Sequence, residues 1–266
     1  MKKKSRTRCL PAFILVPVLL ILLTGQSCSS VSDNNIVFQN SYFSYQIDSR
    51  GKNLHFTDKS TGTDYLAAGK TSFCASVSTN GKEYNVTGVS LKGNNLNLDF
   101  QDAGVNATIK IKRKKDRIIL KVSEVSGKAE SLTFLNIPLN LEGMPYEPFA
   151  ACALSMNLFT RVRELPALQS NLWATCYSKF GLTGAEVTIL GVPQKDILPL
   201  IRNVMSGSED VPFSDKGGAW AQLNKEGYGS YLMNLGTLNE ETVDDWIKMC
   251  SSLGFNQIDN HGGGDF

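Results

Sequence analysis

The C-terminal segment Ser230–Phe266 places the tightest topological constraint on this chain. Ser230–Leu235 is a short apolar run of strand length. Thr237-Leu-Asn-Glu240 follows, a Thr-x-x-Glu capping box in which each side chain can satisfy the other residue's free backbone N–H. Val243, Trp246, Ile247, Cys250 and Leu253 then recur at the spacing of one helical face. Gly254 supplies a left-handed stop, and Phe255–Asn260 reads as a second strand entering His261-Gly-Gly-Gly-Asp265-Phe266. The pattern is one βαβ crossover. A parallel pair with a single helix leaves apolar faces bare, so such a unit is expected within a larger layered sheet or barrel. The corresponding expectation is that this chain is the front of a longer protein.

Ahead of that segment the period changes. Phe43-Ser-Tyr45-Gln-Ile47 puts every second residue on an apolar face. Runs at Leu54–Phe56, Ser72–Ser78, Tyr84–Leu91, Leu96–Phe100, Ala107–Lys112, Ile118–Val125 and Ser131–Ile137 repeat the theme. Turn chemistry separates them at Ser49-Arg-Gly51-Lys, Asp58-Lys-Ser-Thr-Gly62, Asn80-Gly81, Lys92-Gly-Asn-Asn95 and Lys114-Lys-Asp116. Close strands without intervening helices indicate a mainly β fold, an antiparallel sandwich or barrel. No fixed period favours a propeller or solenoid.

Leu139–Gly184 contains Pro145, Pro148 and Pro166 and reads as the end of the sandwich plus long loops. Ala185–Leu190 reads as a strand. Pro193–Met205 reads as a short helix, with Pro199 limiting its N-terminal reach. The predicted organisation is a sandwich over 36–205, a Ser-, Gly- and Asp-rich linker over 206–218 and the βαβ segment over 219–266.

Residues 1–28 read as an export signal rather than as structure. A basic start (Lys2, Lys3, Lys4, Arg6, Arg8) precedes the apolar run Leu10–Leu23, short for a spanning helix and interrupted by Pro11 and Pro17. Thr24-Gly-Gln-Ser-Cys28 resembles a relaxed bacterial lipobox, with Gly25 where an aliphatic residue is usual; Cys28 would carry the lipid. An ordinary secretory signal cut nearby is the alternative. Either places the mature protein outside the cytoplasm, in the bacterial periplasm or on the outer membrane, with residues 29–35 as a tether. Removing the five N-terminal basic residues from 27 leaves 22 basic against 25 acidic residues, so charge gives no support to a nucleic-acid partner. Cys74, Cys152, Cys176 and Cys250 are widely spaced and form no CxxC pair, which argues against zinc. One bridge among the first three is compatible with export, and Cys250 belongs to the apolar helix face.

Phe43-Ser-Tyr45-Gln-Ile47-Asp48 with Asp58-Lys59-Ser-Thr61-Gly62 resembles the start of the galactose-mutarotase-like β-sandwich that precedes the catalytic barrel in several glycoside hydrolases. Gly254-Phe-Asn-Gln-Ile258-Asp259 resembles the second strand of an α-galactosidase-like (β/α)8 barrel. The resemblance covers roughly Ile36 to Phe266 and implies a sandwich followed by the first βαβ unit of an incomplete barrel. It also implies a glycan-degrading enzyme whose nucleophile and acid come from later strands. The catalytic residues are therefore unassigned, and this chain alone is expected to lack hydrolase activity.

Functional groups of such barrels gather at the C-terminal ends of strands. Asn234 ends the first strand, and Asp259, Asn260 and His261 end the second. Their carboxylate and amide groups suit sugar hydroxyls, although a polar strand-end loop explains them equally simply. Asp259 and Asp265 make a weak catalytic pair, because glycoside hydrolysis needs two carboxyl groups at a defined separation that spacing does not give. Glu240, Glu241, Asp244 and Asp245 crowd the predicted helix start, where they complement its dipole. Trp220 and Trp173 are candidates for stacking on a sugar or filling an interface, while Trp246 faces the core by periodicity. His55 is a structural strand residue. With only two distant histidines, and with neither a P-loop nor a dinucleotide fingerprint, serine-hydrolase and nucleotide chemistry are disfavoured. No metal or cofactor is expected. The favoured function is part of an exported, lipid-anchored enzyme acting on oligo- or polysaccharide. A non-enzymatic carbohydrate-binding lipoprotein is the second reading, and a structural surface module the third.

Overall fold

A computed structural model of the chain describes residues 35–69, 71–163, 170–208, 210, 231–234 and 239–260. The export segment with Cys28, Trp220, His261 and Asp265 lie outside these residues. In chain order the strands are β1 Ile36–Gln39, β2 Phe43–Ile47, β3 Asn53–Asp58, β4 Ser76–Thr79, β5 Lys82–Asn85, β6 Gly88–Lys92 and β7 Asn95–Phe100. They continue with β8 Val105–Arg113, β9 Arg117–Ser126, β10 Ser131–Pro138, β11 Phe149–Ser155, β12 Arg161–Val162, β13 Asn171–Tyr177 and β14 Glu186–Pro193. Helix α1 spans Gln194–Met205; β15 Tyr231–Asn234, α2 Val243–Ser252 and β16 Gln257–Asn260 follow.

Three antiparallel sheets result: β1-β2-β3, β12-β13-β10-β4-β5 and β11-β14-β9-β8-β7-β6. All three feed one core. Phe43, Ile47 and Phe56 come from the first sheet, Leu132, Leu135, Ile137 and Leu172 from the second, and Leu98, Ile109, Ile118 and Phe149 from the third. Phe43 and Phe56 stack with ring centroids 5.0 Å apart. The antiparallel sandwich read from alternation is therefore present.

Turn residues set the hairpins. Asn80 (φ 51°) and Gly81 (φ 69°) both occupy the left-handed region, whose twist suits the two-residue turn joining β4 to β5. The Tyr84–Leu91 run is not one strand. It breaks at Val86-Thr87, so that β5 joins the five-stranded sheet and β6 the six-stranded one. Gly51 (φ +80°) packs against this corner; a Cβ there would lie 2.4 Å from Val86 Cγ1.

Leu139–Gly184 also differs from expectation, since β11 and β13 are full core strands. Their inward residues include Ala151, Ala153, Ala174 and Cys176, which carry little β propensity and hide the alternation. Helix α1 lays Ile197, Val204 and Met205 over Leu154, Leu190 and Val192. Pro199 sits inside this helix and does not set its start, which instead follows Pro193 at the end of β14. The four cysteines Cys74, Cys152, Cys176 and Cys250 are free thiols, so no bridge forms among them. Burial pushes the thiols of Cys74, Cys152 and Cys176 up to about 12.

The predicted βαβ crossover is observed, with β15 and β16 parallel. The further strands of a barrel are not among the described residues. Thr237 also lies outside them, and the helix start is organised otherwise than the predicted box. Asn239 Oδ1 accepts from the Thr242 N–H at 2.9 Å, and Thr242 Oγ1 accepts from the Asn239 N–H at 3.1 Å. Only Asp244 and Asp245 fall in the first turn of α2; Glu240 and Glu241 precede it. Cys250 is buried as expected, whereas Trp246 is only half-buried. Ile247 and Leu253 are 53% and 62% exposed.

Candidate functional site

At the strand ends, the parallel register sets the backbone of Asn234 opposite Asn260 and that of Met233 opposite Asp259. Asp259 is exposed. The juxtaposition of Asn234, Asn260 and Asp259 expected from the sequence thus exists in the backbone. His261 and Trp220, the other predicted sugar contacts, lie outside the described residues. Among the described residues no cluster of His, Cys, Asp or Glu could hold a metal ion.

A second site emerges from the sandwich. A cleft of about 740 Å³ opens where β10 ends and β13 begins, bounded by residues 67–69, 71–72 and 139–142. Asn136, Asn140, Asn171, Ser72, Ser170 and Glu142 give it amide, hydroxyl and carboxylate groups. Cross-strand pairing explains its floor. Asn136 opposes Trp173 and Pro138 opposes Asn171, so all four residues share the face of the sheet turned away from Ile137 and Leu172 in the core.

A chain of hydrogen bonds ties that floor to the interior. The buried Tyr45 hydroxyl donates to Asn53 Oδ1 at 2.5 Å. Asn53 Nδ2 donates to Ser72 Oγ and to the Asn136 carbonyl, each at 2.9 Å. Asn136 Nδ2 donates to the Phe73 carbonyl at 2.9 Å, and Asn171 Nδ2 donates to Asn136 Oδ1 at 2.8 Å. Burial, with a smaller contribution from Cys74, raises the Tyr45 phenol well above its ordinary value and keeps it a donor. Two atoms at the end of this chain are left over. Ser170 Oγ and Asn171 Oδ1 are buried and have no hydrogen-bond partner among the described residues. An orphaned buried polar atom costs about 1–3 kcal/mol, which makes this pair the least satisfied point of the cleft wall.

The loop after Glu142 is shaped by two of its own side chains. Glu147 accepts from the backbone N–H groups of Glu142 and Met144, each at 2.9 Å, which shapes the loop. The exposed Tyr146 hydroxyl donates to Glu142 Oε2, an interaction that raises the phenol above its usual range. Sequence reasoning missed this cleft because Asn136 sat in a run read only for apolar alternation, while Asn140, Glu142, Ser170 and Asn171 fell in Leu139–Gly184, which reads as the sandwich end plus long loops. The available signal was polar Asn at the strand ends, in Leu135-Asn-Ile-Pro138 and Ser170-Asn171, where an amide is a poor strand former.

No protein-family model matches the chain, and no curated protein matches it. Among solved structures it is similar to a galactose mutarotase related enzyme from Lactobacillus acidophilus. That likeness has a TM-score of 0.29 and 9% identity, over 60% of this chain and 85% of that one. It is also similar to a GH31 family sulfoquinovosidase from E. rectale, with a TM-score of 0.29 and 10% identity, over 81% of this chain and 39% of that one. The sheets themselves show a mainly β, antiparallel sandwich.

Proposed function

We propose that the sandwich binds a glycan in the cleft at Asn136, Ser170 and Asn171, as part of an exported, lipid-anchored carbohydrate-active enzyme. The observation that carries this reading is the pair of buried, unpartnered acceptor groups, Ser170 Oγ and Asn171 Oδ1, in an amide-lined cleft. Sugar hydroxyls both donate and accept, so a glycan whose entry uncovers these atoms could pair with either. The parallel βαβ unit supports the enzymatic part, because it sets Asn234 beside Asn260, with Asp259 adjacent, at neighbouring strand ends. In this reading residues 1–28 direct export and Cys28 carries the anchor, which the mass of the mature N-terminus tests directly.

A non-catalytic glycan-binding lipoprotein is the second reading. It is favoured by the cleft's single carboxylate among the described lining residues, Glu142, where usual glycoside hydrolysis needs two. Turnover of aryl glycosides by the purified chain, abolished by Asp259→Ala, would discard it.

The cleft is tested on a glycan array with the purified full-length chain and its Ser170→Ala and Asn171→Ala variants. The loss of one hydrogen bond is expected to weaken binding about tenfold in each. Ser170→Ala removes an orphaned hydroxyl, so its melting temperature should hold or rise while binding falls. Failure of the wild-type chain to bind any glycan, or unchanged binding in both variants, would reject the proposal.

A further inference from the structure

Beside the cleft, β13 carries aromatic side chains on the face of the five-stranded sheet turned away from the core. In β13, Leu172, Ala174 and Cys176 face the core, so Asn171, Trp173, Thr175 and Tyr177 share the opposite face. Arg161 of β12 pairs with Thr175 and Val162 with Ala174, which brings Arg163 alongside Trp173. The Arg163 guanidinium carbon lies 5.1 Å from the centroid of the Trp173 ring. Two residues back, Arg161 Nη1 lies 3.4 Å from the Tyr177 hydroxyl. Both arginines are exposed. The ion pairs among the described residues are His55–Asp64, Arg117–Asp116, Lys121–Glu186 and Lys248–Asp245, and neither Arg161 nor Arg163 takes part.

A guanidinium lying over a ring keeps its in-plane N–H groups free, and their fork matches carboxylate or sulfate oxygens. At about 3.3 Å per residue, Asn171 and Tyr177 lie about 20 Å apart along β13; Thr175 between them is buried, so Trp173 with Arg163 and Tyr177 with Arg161 are the partly open positions of this face. Amides at one end and arginine–aromatic pairs at the other suit a chain bearing both hydroxyl and anionic groups.

We infer that the glycan bound here is acidic, carrying carboxylate or sulfate groups, and that Arg163 and Arg161 recognise those groups beside Trp173 and Tyr177. The inference rests on the cleft binding a glycan at all. A separate group of exposed basic residues, Lys110, Lys112, Arg113, Lys114 and Lys115, lies at the β8–β9 hairpin and could attract anions on its own. That hairpin belongs to the six-stranded sheet and lines no part of the cleft. It serves as the internal control.

The test is calorimetric titration of the full-length chain with size-matched neutral, uronate-containing and sulfated oligosaccharides at physiological salt. At least one acidic series should bind about tenfold or more tightly than the neutral one, the scale of a charge-assisted pair. The arm that binds better identifies carboxylate or sulfate as the recognised group. Arg163→Gln should remove most of that preference and leave neutral affinity within about twofold, with Arg161→Gln acting in the same direction. The double variant Lys112→Gln/Lys114→Gln should leave the preference intact. Equal affinity for neutral and acidic series, or loss of preference only in the lysine variant, overturns the inference and leaves the cleft standing. Binding of none of the three series overturns both.

Discussion

Phe56 in the sandwich and Leu253 at the end of α2 are both large apolar side chains, yet Phe56 is fully buried and Leu253 is 62% exposed. The contrast runs through both regions. Three sheets close over the aromatic and aliphatic residues of the sandwich, while α2 sets mainly Cys250 against β16 and leaves Ile247 and Met249 open. Pattern alone made the two look equally folded. Burial distinguishes them, because a helix–strand pair gains stability only from the surfaces it covers.

The sharpest break of that comparison is a pair of truncations. Phe56→Ala should cost about 3–5 kcal/mol in chemical denaturation, and Ile247→Ala within about 0.5 kcal/mol. Similar losses for the two would mean that α2 is as tightly held as the sandwich. Thiol labelling probes local opening next. Cys74, whose thiol burial pushes up to about 12, should resist alkylation at pH 8 until global unfolding. Cys250 should react at least about 100-fold faster through opening of α2, equivalent to about 2.7 kcal/mol. Equal rates would erase the distinction.

Glycine substitutions give a smaller separation. Gly51→Ala combines a left-handed backbone with a 2.4 Å clash on Val86 Cγ1 and should cost about 2–4 kcal/mol. Gly254 (φ +79°) has open space around it, so Gly254→Ala should cost only the conformational penalty of about 1–2 kcal/mol. Denaturant midpoints order the two. The smallest effect is electrostatic. Burial opposes ionisation of Asp64, but the His55 side chain at 2.7 Å and the backbone N–H groups of Leu66 and Phe56 outweigh it and lower its pKa. Its folded pKa lies below the unfolded value of about 3.9, so its contribution is full above that value and is lost as pH falls through the folded pKa. At this half-open site the contribution is under about 1 kcal/mol; Asp64→Asn should flatten the acid limb of a stability–pH curve by that amount.

Much of the fold was legible because its signals are local. Phe43–Ile47 alternates cleanly, Asn80-Gly81 specifies a tight hairpin, and the period of Val243–Leu253 marks a helix. Tyr84–Leu91 misled because the corner at Val86 depends on contact with Gly51, far away in sequence. β11 and β13 were hidden by alanine and cysteine, whose smallness makes sense only against the opposing sheet. The placement of Asn234, Asp259 and Asn260 at neighbouring strand ends was recoverable from the βαβ pattern. Asn136, Ser170 and Asn171 meet only through the pairing of two strands separated by more than thirty residues, and no spacing rule encodes that.

The line of bonds from Tyr45 through Asn53 and Asn136 to Asn171 has a kinetic and thermodynamic consequence. Its outermost amide is aimed when the domain folds, not when a guest arrives. Little side-chain freedom remains to be frozen on association, so on the proposed reading even a short saccharide should be held with high efficiency per atom. Affinity should therefore respond to Tyr45→Phe, a change of one buried oxygen that no guest ever touches.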